Sequence, residues 1–194
     1  MTSSRNKSGV VTRLDDAAVL DAARACVLDV GVRRTTLSDV ARRAGVSRMS
    51  LYRRWDGVDA LVGDLLTRDL LAAATGPLGT DRATIVTHAV EVCETLRRHR
   101  LVRKIVDVDP ELLLPYLLRR RGRSSDALLA LLTDALTAAQ DGGTVRDGDT
   151  AVLARFVLLT AQSYVLSAGA VTAGTPAAQL PTELHALLDG YLRP

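Results

Sequence analysis

Side chains suited to binding nucleic acid cluster between residues 47 and 54. These eight residues include two serines, one tyrosine and three arginines. Guanidinium groups bind phosphate oxygens or the major-groove edge of guanine, and hydroxyl groups bind phosphate. The stretch therefore predicts DNA binding. The predicted contact residues, two of which lie just upstream, are Thr36, Ser38, Ser47, Arg48, Met49, Ser50, Tyr52, Arg53 and Arg54.

No group of residues in the sequence indicates catalysis or metal binding. His88, His99 and His185 are far apart and lack Cys or carboxylate partners at the spacing of metal ligands. The sequence motifs of serine hydrolases, phosphate-binding loops and dinucleotide sites are absent. Asp107 and Asp109 lie beside a proline turn, where capping explains them better than acid–base catalysis. We therefore expect no enzymatic activity, no cofactor and no metal.

The second half of the chain could hold a small molecule, because a few polar side chains are interspersed among many apolar ones. Each residue in this set could equally be ordinary core. Aromatic residues make up only 3% of the chain, which favours an aliphatic or other small apolar effector over a flat aromatic cation. The predicted lining residues are Val92, Cys93, Leu96, Leu132, Leu136, Phe156, Leu159, Ser163 and Tyr164, with Gln162 as a further polar group.

Two basic clusters allow a second kind of effector contact. One comprises Arg97, Arg98, Arg100, Arg103 and Lys104, and the other comprises Arg119, Arg120, Arg121 and Arg123. Such clusters are usually solvated, or place cations at a helix C-terminus. They could also bind an anionic effector, such as the phosphates of an acyl-CoA thioester. Both interpretations stay open.

The DNA-contacting residues must be positioned by two short helices, the first over residues 36–44. Thr36 can cap this helix, and Asp39 stands three residues later at the spacing of a capping box. Apolar residues then recur at helical spacing up to Gly45. Glycine adopts a left-handed backbone without steric cost, so we expect the helix to end there.

The second helix is predicted over residues 48–55. Ser47 can cap it, and Leu51 and Trp55 lie one turn apart on its inner side. The arginines and hydroxyls are then left facing outward. Two helices joined by a tight turn make a helix-turn-helix, whose second helix fits the DNA major groove.

These residues and their flanks resemble the DNA-binding domain of the tetracycline-repressor (TetR) family. The resemblance spans residues 20–61 without gaps, whereas the chain from about residue 70 matches the family only in length and helical character. The matching positions are Leu20-Asp21-Ala22-Ala23, Gly31, Thr35-Thr36, Val40-Ala41, Ala44-Gly45-Val46-Ser47, Leu51-Tyr52, Trp55 and Ala60-Leu61.

The resemblance implies an all-α fold of about nine helices, with an N-terminal three-helix helix-turn-helix head and a C-terminal helical body for ligand binding and dimerisation. It implies a homodimer formed through the helices at 150–168 and 182–192. It also implies a double-stranded DNA operator and a small-molecule effector as partners. One family feature is missing, because Val58 stands where the family often has a phosphate-binding Lys.

The predicted function is therefore that of a DNA-binding transcriptional regulator. In particular, we expect a repressor that a small apolar effector, including an acyl chain or acyl-CoA, releases from a palindromic operator. The alternative is a small-molecule-binding or interaction protein with weakened DNA binding, for which Val58 is the only support.

Charge and composition agree with a basic head on a mildly acidic body. The 194 residues carry a net charge of +3, but residues 1–57 hold eleven Lys or Arg against six Asp or Glu. Cys26 and Cys93 do not form a paired framework, and no apolar leader follows the N-terminus. The longest apolar stretch, 151–173, is interrupted by Arg155. We therefore expect a cytoplasmic protein with no membrane segment.

Breaker residues and caps divide the chain into four parts. We predict a disordered basic arm over 1–13, the helix-turn-helix domain over 14–57, a linking helix and loop over 58–80, and the body over 81–194. Outside the helix-turn-helix, helices are predicted over 15–30, 58–73, 81–105, 110–119, 124–139, 150–168 and 182–192. Ser124 or Ser125 and Asp149 are predicted caps.

Overall fold

A computed structural model describes residues 15–74, 76, 78–113, 123–171, 174 and 176–194. These residues form nine α-helices, one 3₁₀ helix and no strand, which confirms the all-α fold class. The predicted basic arm at 1–13 lies outside the described residues. The helices are α1 (Asp16–Val30), α2 (Leu37–Ala44), α3 (Arg48–Arg54), α4 (Val58–Ala73), α5 (Arg82–Arg98), α6 (Arg100–Val108), α7 (Arg123–Asp141), α8 (Thr150–Val171) and α9 (Gln179–Leu192); the 3₁₀ helix is Pro110–Leu113.

The helix-turn-helix has the caps that the sequence predicts. The Thr36 side chain accepts a hydrogen bond from the Asp39 N–H, and the Ser47 side chain accepts one from the Ser50 N–H. Gly45 ends α2 in the left-handed conformation, with φ +68°. Trp55 follows α3 as an extended cap residue, so α3 ends one residue before its predicted end. Local hydrogen bonds thus fix the angle at which α3 leaves α2.

The head core extends beyond the first three helices. Val27, Val40 and Leu51 are fully buried at its centre. The N-terminal half of α4 closes one side, where the Trp55 indole N–H donates to Asp64 at 3.0 Å. Leu101 and Ile105 of α6 belong to the same core. Helix α6 therefore packs on the head, although the sequence places it within the body.

A second core holds the body helices α5, α7, α8 and α9 together. Ile85, Leu136, Leu153 and Leu188 are almost completely buried in it. The Asp149 carboxylate accepts from the N–H groups of the first turn of α8, as predicted for a cap.

The predicted helix over 81–105 is wrong, because the structure divides it at His99. The backbone of His99 is extended, with φ −66° and ψ 124°. Cys93 and Ile85, before the break, pack in the body core, whereas Leu101 and Ile105, after it, pack in the head core. One straight helix could not present apolar residues to both cores, so tertiary packing decides the break.

Other boundaries also differ from the predictions, and α8 continues three residues past its predicted end at 168, to Val171. A 3₁₀ helix at Pro110–Leu113 begins the segment predicted as helix 110–119, whose remainder lies outside the described residues. The described part of α7 begins at Arg123, so Ser124 and Ser125 lie within the helix. Helix α9 begins at Gln179, which places Pro181 in its first turn, where the missing N–H has no intrahelical partner to lose.

Candidate DNA-binding surface and ligand cavity

The outward face of α3 presents cationic and polar side chains to solvent. Met49 is 69% exposed and Tyr52 is 58% exposed. Arg48 and Arg53 are exposed, and neither forms an ion pair with another described residue. Ser50 lies between them at the start of the helix. This face can therefore offer two uncommitted guanidinium groups to a polyanion.

Other predicted DNA contacts already have partners within the head. The Thr36 hydroxyl donates to the Asp39 carboxylate at 2.6 Å, and this bond holds the pKa of Asp39 below its usual range. The Arg54 guanidinium bonds to Asp16 at 3.1 Å and lies over the Trp55 ring. The Ser47 hydroxyl is shared with Ser50. These side chains position α3, the recognition helix of the helix-turn-helix. Ser38 lies half-buried beside them.

A cavity of about 230 Å³ lies below the head, bounded by α4, α5, α6, α7 and α8. Most of its wall is aliphatic, and no acidic residue, Lys or Arg lines its described part. The lining residues are Gly63, Leu66, Thr67, Leu70, Ala74, Leu78, His88, Ala89, Val92, Cys93, Leu96, Val102, Ile105, Leu128, Leu131, Leu132, Val157, Leu158, Ala161, Gln162, Val165 and Leu166.

The cavity includes four of the nine predicted lining residues, together with Gln162. The four are Val92, Cys93, Leu96 and Leu132. Helix α8 contributes residues 157, 158, 161, 162 and 165, which recur at helical spacing on one face.

The other five predicted lining residues are corrected by the structure. Phe156, Leu159 and Ser163 face away from the cavity and are exposed, because they lie on the opposite face of α8. Leu136 is fully buried in the body core, and the Tyr164 hydroxyl bonds to a carboxylate instead.

That carboxylate, Glu94, is the centre of a charged network beside the cavity. Arg97 donates to it at 2.9 and 3.0 Å, Arg98 pairs with it at 2.8 Å, and the Tyr164 hydroxyl donates to it at 2.5 Å. Chiefly because of the Arg97 hydrogen bonds, the pKa of Glu94 falls to about 2. Burial and the neighbouring Glu94 raise the pKa of Tyr164 to about 12. Two arginines of the first basic cluster are therefore already paired.

Cys93 enters the cavity as a neutral thiol. Burial, with a smaller contribution from Glu94, raises its pKa to about 12. Because the thiolate is the reactive form, Cys93 acts here as an apolar lining residue and not as a nucleophile.

His88 lines the cavity although it is not among the predicted lining residues. Its Nε2 atom is buried without a hydrogen-bond partner, and its ring lies against Gly76, where an added Cβ would be 3.2 Å from Cε1. The signal was present, because His88 precedes Val92 by one helical turn on the same face of α5. A similar stripe, from Gly63 on α4 to its C-cap residue Ala74, also lines the cavity and was not predicted.

Two buried carboxylates join the cavity helices to the head. Asp109, 2% exposed at the end of α6, accepts from the Val32 N–H at 2.8 Å. Asp69 of α4, 5% exposed, pairs with Arg24 of α1 and lies 3.7 Å from His99. Asp109 is the C-cap residue of α6, as a capping role predicts, and its carboxylate in addition bonds to a backbone group of the head.

Two wider features of the described residues bear on function. They contain no cluster of three or more His, Cys, Asp or Glu side chains that could hold a metal ion. Among them, α8 is the one helix long and apolar enough to cross a membrane. One such helix is weak evidence for a membrane span, because buried helices of soluble proteins meet the same criterion.

Comparison with known proteins gives consistent matches. Residues 19–65 match the model of "Bacterial regulatory proteins, tetR family". An HTH-type transcriptional regulator of Mycobacterium bovis is 42% identical over 176 residues, covering 90% of this chain and 92% of the relative. The Rhodococcus erythropolis TetR-family repressor QsdR superposes with a TM-score of 0.67 at 19% identity, covering 92% of this chain and 96% of QsdR. Bacillus subtilis FadR superposes with a TM-score of 0.62 at 14% identity, covering 92% and 100%.

Proposed function

Because the chain belongs to the TetR family of bacterial regulatory proteins, we propose that it is a homodimeric repressor released from a palindromic operator by a small apolar effector. The chain is a transcriptional regulator with a helix-turn-helix DNA-binding head, and it is not an enzyme. The repressor role, the dimer and the effector are what we add. The observation that best supports control of the head by an effector is that α4 and α6 each contribute to both the head core and the cavity wall.

This double use of two helices supports coupling between effector and operator. On α4, Leu61 and Leu65 pack in the head core, while Leu66 and Leu70 line the cavity. Ile105 of α6 belongs to both. A ligand that separates the cavity walls would tilt the head through the Asp109 and Asp69 contacts. It would thereby favour a dimer whose two recognition helices no longer fit successive major grooves.

DNA contact is assigned to the exposed face of α3. Arg48 would reach base edges or phosphate near the helix N-terminus, and Ser50 and Tyr52 would bind phosphate. The N-terminus of α4 has no side-chain cap, so its first N–H groups can bind a phosphate even with Val58 in place of Lys. That geometry favours a working DNA head over the alternative of weakened DNA binding.

The proposed dimer interface is the outward face of α8 and α9. Phe156, Leu159 and Leu187 are each more than half exposed on these two helices. Several large apolar side chains together on a surface commonly mark a protein interface. Pairing this face across a two-fold axis would give the two heads the symmetry of a palindromic operator.

The cavity supports an effector that is mostly aliphatic. An acyl-CoA is a second candidate, supported by the B. subtilis FadR structure, which is described as a complex with stearoyl-CoA. Its phosphates would require free cations at the cavity. Arg97 and Arg98 are paired with Glu94, and Arg100, Arg103 and Lys104 do not line the described part of the cavity. The cluster at 119–123 falls largely outside the described residues. This arrangement favours an effector without a large anionic head.

Fluorescence anisotropy on duplexes from the DNA flanking the gene tests this function. We expect sequence-specific binding that weakens as salt rises, because phosphate contacts release counterions. Aliphatic alcohols of increasing length are then titrated against the complex, with fatty acids and CoA thioesters of matching length beside them. Release should strengthen with each added methylene, by roughly 0.8 kcal/mol, until the cavity is full. Equal binding to unrelated duplexes would contradict the operator, and release independent of chain length would contradict the aliphatic effector.

A further inference from the structure

We propose that His88 binds the single polar group of the effector, and that the effector is a neutral, mainly aliphatic molecule carrying one hydroxyl or carbonyl oxygen. This role rests on the proposed function, since it assumes that the cavity is the effector site. It adds the chemical class of the ligand and the direction in which the ligand lies. A fatty acid or acyl-CoA head group is not what this wall would select.

The polar side chains of the wall differ in their hydrogen bonds. His88 of α5 lines an otherwise largely aliphatic cavity, and its Nε2 atom is buried without a partner. The Thr67 hydroxyl of α4 is already bonded to the Gly63 carbonyl at 2.8 Å, and Gln162 of α8 is the further polar side chain of the lining. A buried polar atom without a partner is destabilising, and a ligand oxygen placed there would satisfy it.

The wall also lacks charge. No Lys, Arg, Asp or Glu lines the described part of the cavity. Of the two acidic residues of α5, Glu91 is exposed, and Glu94 is occupied by two arginines and Tyr164. A carboxylate ligand would be desolvated there without a cation to pair with, which is strongly unfavourable. A hydroxyl or carbonyl oxygen needs only the one hydrogen bond that His88 can make.

The volume of the cavity also limits the ligand. A dry apolar cavity of about 150 Å³ holds benzene, with its six non-hydrogen atoms, so the volume here, about 230 Å³, corresponds to roughly nine. A short alcohol or ketone fits this space.

The position of His88 also sets the orientation of the ligand. His88 lies near the α4–α5 linker, against Gly76, whereas Leu96, two turns later, lies near the break that leads to α6. These two residues of α5 are roughly 12 Å apart along the axis, at 1.5 Å per residue. With its oxygen at His88, an aliphatic tail points toward Ile105, which is shared with the head core. The length of the tail would then determine whether the ligand reaches Ile105 and displaces the head.

The test compares 1-hexanol, n-hexane and hexanoate at neutral pH as probes of the full-length protein. Dissociation constants come from NMR titration of the Leu, Val and Ile methyl signals. Side-chain ¹⁵N signals report the hydrogen bond at His88, whose resonance is assigned by its loss in His88→Leu. For the wild type we expect 1-hexanol to bind about tenfold more tightly than n-hexane, and hexanoate to bind more weakly than the alcohol. The ¹⁵N signal of His88 should shift with 1-hexanol but not with n-hexane.

Two substitutions separate the hydrogen bond from the shape of the site. His88→Leu should abolish the preference for 1-hexanol over n-hexane while keeping hexane binding. His88→Gln, which retains a donor and an acceptor, should keep most of that preference. Thr87→Leu, an exposed neighbour on α5, is the matched control and should behave as wild type.

The possible outcomes separate the role of His88 from the proposed function. A preference for 1-hexanol that survives in His88→Leu, equal binding of the two probes, tighter binding of hexanoate, or no binding of any probe would overturn the role of His88. His88-dependent binding of 1-hexanol and of longer alcohols without operator release would leave that role standing and contradict the effector function. Operator release by ligands whose binding does not depend on His88 would contradict the role of His88 and leave the effector function standing.

Discussion

At the scale of single residues, the recognition helix offers the sharpest test of DNA binding. Arg48 is exposed and forms no ion pair within 4.0 Å among the described residues, so its removal disturbs the head little beyond its charge effect on Asp39. Arg48→Ala should weaken operator binding by about 1–3 kcal/mol if the guanidinium reads a base. Anisotropy titration at fixed salt measures the change. Arg193→Ala, at the far end of the chain, removes an equal charge and is the control.

Tyr52→Phe should weaken operator binding less, because it removes only one phosphate-contacting hydroxyl. If operator affinity is unchanged in both Arg48→Ala and Tyr52→Phe, α3 does not lie in the groove as placed here.

The Glu94 network makes a separate, pH-dependent prediction. The pKa of Glu94 is lowered to about 2 in the folded protein from an ordinary value of 4.5. The stabilising effect of its ion pairs is therefore complete above pH 4.5 and is lost as the pH falls through about 2. Glu94→Gln should flatten the free energy of unfolding between these pH values, as urea denaturation at pH 6, 4 and 3 would measure. An identical loss of stability on acidification in wild type and variant would show that other carboxylates dominate.

At the scale of elements, one buried carboxylate adds a hydrogen bond to the apolar packing that attaches α6 to the head. Asp109→Ala would leave the buried Val32 N–H without its acceptor, which costs about 1–3 kcal/mol. Asp109→Asn keeps an acceptor oxygen and should be milder. Chemical denaturation monitored by the fluorescence of Trp55, which is buried in the head core, reports this effect. Equal stability of Asp109→Ala and wild type would mean that the contact does not hold α6.

The helices were predictable from sequence wherever local signals specify them. Thr36, Gly45 and Ser47 define the helix-turn-helix through their own caps and turn, so periodicity and capping rules find it. The break at His99 carries no Gly or Pro signal, and it arises because residues on either side of it belong to different cores.

The cavity was predicted only in part for a related reason. An apolar residue such as Leu136 looks the same in sequence whether it faces a void or the core. Helix α8 is apolar on both faces, so periodicity could not show that Leu158 faces the cavity and Leu159 the solvent. Only the packing of its neighbours distinguishes them.

At the scale of the whole molecule, the outward face of α8 and α9 predicts assembly. Leu187→Arg would place an unpaired charge in the proposed interface, so it should shift the protein toward monomer. Sedimentation velocity at micromolar concentration measures this, with Ala83→Arg on the exposed side of α5 as control. A wild-type monomer that is folded at that concentration would rule out the interface. Leu158, which lines the cavity, is unsuitable for this test.

The central claim is that filling the cavity moves the head, and a substitution can test it without a known effector. Ala161→Phe places a ring inside the cavity from α8, far from the DNA surface, while Ala138→Phe adds the same ring to the exposed side of α7. The measurement is operator affinity of the two variants, with thermal unfolding and 1-hexanol binding confirming that each is folded and that only the first has a filled cavity. We predict that Ala161→Phe binds operator about tenfold more weakly, a coupling of typical allosteric size, and that Ala138→Phe matches wild type. Wild-type operator affinity in a folded Ala161→Phe protein whose cavity no longer admits 1-hexanol would contradict the claim.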